Sequence, residues 1–96
     1  MYASVRRYKT DHASEITRRV NAEFLPIISQ TPGFVAYYGI DSGDGTWTSV
    51  SIFETQEGAE DSNQLAADWA SQNIASLISG APKITAGELV INLKSA

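Results

Sequence analysis

Residues 34–40 leave this chain few ways to fold. The run Phe34-Val35-Ala36-Tyr37-Tyr38-Gly39-Ile40 is rich in aromatic and β-branched residues and reads as a strand. Successive side chains of a strand point to opposite faces. One set here is Phe34, Ala36, Tyr38 and Ile40; the other is Val35, Tyr37 and Gly39. Both sets are apolar or aromatic. A sheet with one wet face alternates cleanly between apolar and polar. This strand does not. The expectation is that helices cover one face of its sheet and a second copy of the chain covers the other. The alternative is a monomer that leaves a few aromatics exposed.

Five further elements can be read around it. Residues 2–9 alternate about Val5 and suggest a first strand. Thr10-Asp11-His12-Ala13 offers polar helix caps, and Ile16, Val20, Phe24, Ile27 and Ile28 then recur at helical spacing. Pro26 removes a backbone donor and should kink or loosen the last turn. Thr31-Pro32-Gly33 breaks the chain. Ser42-Gly43-Asp44-Gly45 is a hairpin turn leading into a returning strand, Thr46 to Glu54. Thr55 can cap a long helix to about Ile78, which Gly80-Ala81-Pro82 ends. Lys83 to Leu93 reads as a last strand, with Gly87 as a bulge or kink. The order β-α-β-β-α-β is the ferredoxin-like arrangement within the α+β class. It predicts a four-stranded antiparallel sheet with both helices on one face. With 96 residues there is no room for a second core, so 1–96 is read as a single domain.

Composition narrows the function. Seven Lys and Arg against eleven Asp and Glu give a net charge of −4, which argues against a nucleic-acid partner. There is no cysteine, hence no disulfide, thiolate nucleophile or Cys-ligated metal, and a reducing cytoplasm suits the chain. A single histidine excludes a His-rich metal site, so no metal is expected. No stretch reaches the roughly 18 apolar residues of a membrane span. The start, Met1 to Arg7, meets charges where a signal peptide needs its apolar core. The expectation is a cytoplasmic protein with neither a membrane nor a nucleic-acid partner. Phosphate-cradling glycine motifs are absent. Arg6, Arg7, Lys9, Arg18 and Arg19 precede position 20, whereas Asp41, Asp44, Glu54, Glu57, Glu60, Asp61 and Asp68 carry no basic residue among them. These are either two solvated faces of opposite sign or complementary patches of two copies.

Chemistry-bearing side chains concentrate where the second helix meets the sheet. On a helical wheel Ala59, Ser62, Ala66, Trp69, Ala70, Asn73 and Leu77 share one face. The alanines leave volume that favours a pocket between helix and sheet. Asn73 either bonds neighbouring backbone or lines that pocket. Trp69 is either core or an aromatic wall with an indole N–H donor. Tyr2, Ser4, Arg6 and Tyr8 share one face of the first strand, toward either the helices or a dimer interface. Tyr37 and Tyr38 divide between the two faces. His12 is either an exposed helix-end residue or a proton acceptor at the cavity mouth.

The chain resembles the antibiotic-biosynthesis-monooxygenase-like group of dimeric α+β barrels over nearly its whole length. The resemblance lies in Val5-Arg6-Arg7-Tyr8, Phe24-Leu25-Pro26, Thr31-Pro32-Gly33-Phe34-Val35-Ala36-Tyr37-Tyr38, Val50-Ser51-Ile52-Phe53-Glu54 and the Ala59-to-Ala70 helix. It implies a homodimer whose two sheets close an eight-stranded barrel with a ligand pocket in each subunit. Some members oxidise polyphenolic or quinol substrates with molecular oxygen and no metal, flavin or haem. Others degrade haem with an Asn on the first strand and a Trp and His in the second helix. Here Ser4 falls near that Asn and Ser62 near that Trp, and the second helix has no His, which argues against haem degradation. The resemblance thus implies a cofactor-independent monooxygenase of a small hydroxyaromatic or quinol-like molecule. In that reading Trp69 and Asn73 are pocket residues, Tyr8 and Tyr38 bond or wall the substrate, Arg6 contacts an anion and His12 is a candidate base. The alternatives are a non-catalytic small-ligand-binding homodimer and a purely structural one.

Overall fold

The computed structural model describes residues 1–95. Strands β1 (Tyr2–Lys9), β2 (Phe34–Asp41), β3 (Thr46–Phe53) and β4 (Lys83–Glu88) form one antiparallel sheet in the order β2-β3-β1-β4. In β1 the residues Ser4, Arg6 and Tyr8 are buried, and their register partners Ser51, Ser49 and Trp47 on β3 are buried with them. This face carries the helices. The period-two pattern of β1 is as expected, and the structure resolves its side: Arg6 and Tyr8 look toward the helices.

The first helical segment, α1, runs from Ala13–Arg19 through a π-helical turn, Val20–Phe24, into Leu25–Ile28. Its buried residues are Ile16, Val20, Phe24 and Ile28, spaced by four. On an ideal α-helix that spacing drifts by about 40° per repeat. The wider π turn absorbs the drift and keeps the stripe on the sheet. It also lies just ahead of Pro26, whose ring would crowd the carbonyl one α-turn back. The loosening expected at the last turn thus falls one turn earlier, and Ile27 stays 43% exposed.

The second helix, α2 (Gln56–Asn73), begins at Thr55, whose hydroxyl accepts the Gly58 N–H at 3.1 Å. It is shorter than the sequence suggests; a 3₁₀ turn, Ala75–Leu77, takes over where Ile74 turns inward. Gly43 and Gly45 supply the positive φ angles of the hairpin, 75° and 90°.

Two expectations about strands need correction. Gly87 makes no bulge and pairs regularly with Ala3. The irregularity lies in β2, between Phe34 and Ala36. That bulge moves Phe34 out of the set read from simple alternation, and it packs on Phe53 with ring centroids 5.8 Å apart. Second, β4 stops at Glu88 rather than Leu93. Leu89 still donates to the Met1 carbonyl at 2.8 Å. Val90, Ile91 and Leu93 are 85%, 84% and 94% exposed.

The sheet's reverse face is not covered by the chain's own helices. Tyr38 and Ile40 stand there, 59% and 49% exposed, opposite Val50 and Thr48. Among the described residues no helix is long and apolar enough to cross a membrane.

Candidate functional site

Between α2 and strands β1 and β4 lies a cavity of about 330 Å³. Arg6 and Tyr8 enter it from β1, Asn63, Ala67, Ala70 and Ser71 from α2, and Ile84 from β4, while Ala75, Ile78 and Gly80-Ala81-Pro82 complete its wall. The volume exists because α2 presents Asn63, Ala67, Ala70 and Ser71 at helical spacing, and three of the four side chains are too short to reach the sheet. The walls are mostly apolar, as small-ligand sites are.

One polar cluster sits at the bottom. Arg6 is 2% exposed. Its Nη1 donates to Asn63 Oδ1 at 2.5 Å and its Nη2 to Ser51 Oγ at 3.3 Å. Ser4 Oγ donates to the same Asn63 oxygen at 2.5 Å. With Oδ1 engaged twice, the amide nitrogen of Asn63 is left to the cavity. Among the described residues, buried Arg6 Nε has no hydrogen-bond partner, and neither has Ser49 Oγ, its neighbour across the ladder. A buried cation held only by neutral acceptors is a strong local source of positive potential.

Two phenols flank that charge. Burial pushes the Tyr37 hydroxyl up to about 12, against a smaller pull downward from the Arg6 charge. Burial raises Tyr8 in the same way, again opposed by Arg6. Both are therefore neutral hydrogen-bonding groups near pH 7 rather than bases.

The other residues expected at the site are distributed differently. Trp69 is 9% exposed and packs on Phe24 with centroids 5.2 Å apart. It walls a void of only about 10 Å³ beside Arg6, Tyr8, Tyr37 and Trp47, room for about one water, and does not reach the larger cavity. Asn73 turns back on its own helix: Nδ2 donates to the Trp69 carbonyl at 2.9 Å, and its backbone oxygen accepts from Arg19 at 2.6 Å. It lies outside the cavity wall because the last turn of α2 offers it a carbonyl one turn back. Tyr38 is on the reverse face, and Tyr37 takes the inward position, because the β2 bulge sets the phase. His12 is exposed at the start of α1, away from the cavity, with its backbone N–H on Thr10 Oγ1 at 2.8 Å. Asn63 and Ser51 are polar residues that the sequence did not single out, and Tyr37 is the member of the Tyr37 and Tyr38 pair that reaches the helix side. The clue to Asn63 was the small-residue stripe it heads. Among the described residues no group of three or more His, Asp or Glu side chains could hold a metal ion.

No protein-family model and no curated protein matches the chain. Solved structures do. A protein of unknown function from Nitrosomonas europaea superposes with a TM-score of 0.77 at 22% identity, over 99% of this chain and 94% of that one. SnoaB, a cofactor-independent oxygenase from Streptomyces nogalater, gives 0.75 at 13% identity, over 98% and 97%. A monooxygenase of Streptomyces coelicolor, solved with the ligand nanaomycin D, gives 0.74 at 14% identity, over 99% and 92%. With strand order β2-β3-β1-β4 and its two helical segments, the chain has the ferredoxin-like fold of the antibiotic biosynthesis monooxygenase-like proteins.

Proposed function

We propose that this protein is a cofactor-independent monooxygenase of a small hydroxyaromatic or quinol-like molecule, working as a homodimer in the cytoplasm. The observation that carries the reading is the apolar cleft floored by Arg6 and Asn63. The fold it shares with two Streptomyces oxygenases supports it. A phenolic oxygen laid against Asn63 Nδ2 and Arg6 would ionise readily, because both groups favour the anion. The ionised ring is the reductant. Dioxygen adds to its activated carbon, and the resulting hydroperoxide loses water. The balance is CH₂ plus O₂ giving C=O plus H₂O, with all electrons drawn from the substrate. Tyr8 and Tyr37, held neutral, would donate hydrogen bonds, and the phenolic proton would leave through the mouth to water.

A second reading, a binding protein without turnover, draws support from one feature: among the described residues no carboxylate or histidine lines the cleft. Oxygen uptake with a panel of hydroquinones separates the two. The oxygenase reading expects turnover that Asn63→Ala lowers about 100-fold, the usual loss when one oxyanion donor is removed. Trp69→Phe, which meets the cleft only through the shared walls Arg6, Tyr8 and Ala70, should change it less. Binding without oxygen uptake for every substrate would leave the second reading.

A further inference from the structure

We infer that the ligand this cleft is built to receive is an aromatic acid, already an anion in solution, whose carboxylate seats on Arg6. The inference rests on the cleft being a small-molecule site and names the class of ligand it takes. It starts from a charge without a counter-charge. A guanidinium offers five N–H donors. In Arg6 they meet one amide oxygen, Asn63 Oδ1, and one hydroxyl, Ser51 Oγ, with the phenols of Tyr8 and Tyr37 alongside, while Nε has no partner among the described residues. The side chains facing it are Tyr8 from its own strand, Tyr37 from β2, Ser49 and Ser51 from β3, Ile84 from β4 and Asn63 from α2, and none is acidic. Among the described residues the ion pairs are those of Arg18 and Arg19 with Glu15, on α1. Buried arginines are ordinarily paired, because an uncompensated buried charge is strongly unfavourable.

The water has already been stripped from Arg6 in the empty protein. An arriving anion gains the full attraction of a dry, fixed cation without desolvating it again. A carboxylate matches the planar fork of a guanidinium better than a hydroxyl does. A neutral quinol would give Arg6 little until it ionised. The chain as a whole carries a net charge of −4, so the attraction is local to this spot. The walls supply the other half of the specificity. Ala67, Ala70, Ile78 and Ile84 suit a ring and give nothing to a hydrated inorganic anion. At about 330 Å³ the cleft is at the small end for ligand sites, which limits the guest to one or two rings.

The test is calorimetric titration of the full chain with para-hydroxybenzoate and its neutral isostere, para-hydroxybenzamide. The benzoate should bind about tenfold tighter or more, the ratio set by one charge-assisted hydrogen bond. In Asn63→Asp the new carboxylate keeps the bonds from Ser4 and Arg6 and supplies the missing counter-charge, so the preference should vanish. Arg6→Met should abolish it as well. Equal affinity of the wild type for both probes overturns the inference while leaving the cleft a hydroxyaromatic site. Binding of neither overturns both. A preference that survives in Asn63→Asp and Arg6→Met overturns the assignment to Arg6. Oxygen consumption is not the readout, so the result is independent of whether the protein turns over.

Discussion

Asn63 accepts from Ser4 and from Arg6 with one oxygen, so its replacement is felt at two buried donors at once. Asn63→Ala should destabilise the fold by about 1–3 kcal/mol, the cost of leaving such donors unmade. Asn63→Asp should do the reverse and raise the midpoint of thermal unfolding, because it pairs a cation that the native chain leaves unpaired. Both follow from melts monitored by circular dichroism. Tyr37, together with Tyr8, shapes the alkaline limit. Its hydroxyl is held at about 12 in the folded chain against 10.0 when exposed, so folding favours the neutral phenol. That contribution is fully present below pH 10 and lost as pH climbs toward 12. Tyr37→Phe should flatten the fall in urea stability across that window, and an unchanged slope would mean the phenol is not the group responsible. At this scale the sequence was half legible. Period two in β1 put Arg6 beside Tyr8, yet only the packed sheet decides which way the pair looks. Asn73 and Asn63 are chemically alike, and the wheel favoured the one inside the apolar stripe. What separates them is a carbonyl within reach of one and an arginine within reach of the other, both fixed by tertiary contact.

Helix α2 owes its register to its first turn. Thr55 Oγ1 satisfies the Gly58 N–H, and Gly58 itself packs so closely that an added Cβ would meet Phe53 at 3.0 Å. Thr55→Ala should remove about 1 kcal/mol of stability, and with it about 4–8 °C of the melting midpoint for a domain this size. Calorimetric binding of para-hydroxybenzoate to the folded variant should hardly change, since Asn63 lies two turns further on. A loss of binding larger than the loss of stability would show that the cap also positions the site. The cap, the hairpin glycines and all four strands were legible because each is written in local chemistry. The π turn was written too, in the four-residue spacing of Ile16, Val20, Phe24 and Ile28, but it reads as an ordinary helix unless the drift is counted. The end of β4 was not legible. Val90, Ile91 and Leu93 have strand-forming or apolar side chains, yet the ladder with β1 ends at the Tyr2–Glu88 pair. Strand ends depend on the neighbouring strand, which a local reading does not contain.

For the molecule as a whole, the exposed side of the sheet sets the remaining question. Gly39 is open on the helix side only far enough for the Trp47 ring, whose Cζ2 would lie 3.0 Å from an added Cβ, so β2 is pressed against its own core on that side. On the other side Tyr38 and Ile40 face solvent beside Ala36, Val50 and Ile52. Burying an Ile side chain is worth about 1.5–3 kcal/mol. Leaving several such groups bare on one flat surface favours association with an identical surface, because a two-fold axis makes each contact occur twice. The homodimer proposed above uses this face. Light scattering at micromolar concentration should therefore give twice the chain mass, and Ile40→Lys should shift the equilibrium toward monomer. Ile40 is half buried already, so the two copies together lose about 1.5–3 kcal/mol of apolar burial, which weakens the dimer by about ten- to a hundredfold. The cleft lies on the opposite side of the sheet, so the variant's affinity for para-hydroxybenzoate tells how far the two faces are coupled. An unchanged affinity in a monomeric variant means that each subunit carries a complete site. A wild-type chain that scatters as a monomer would mean the apolar face is tolerated bare, and the argument from the doubly apolar alternation of β2 would fail with it.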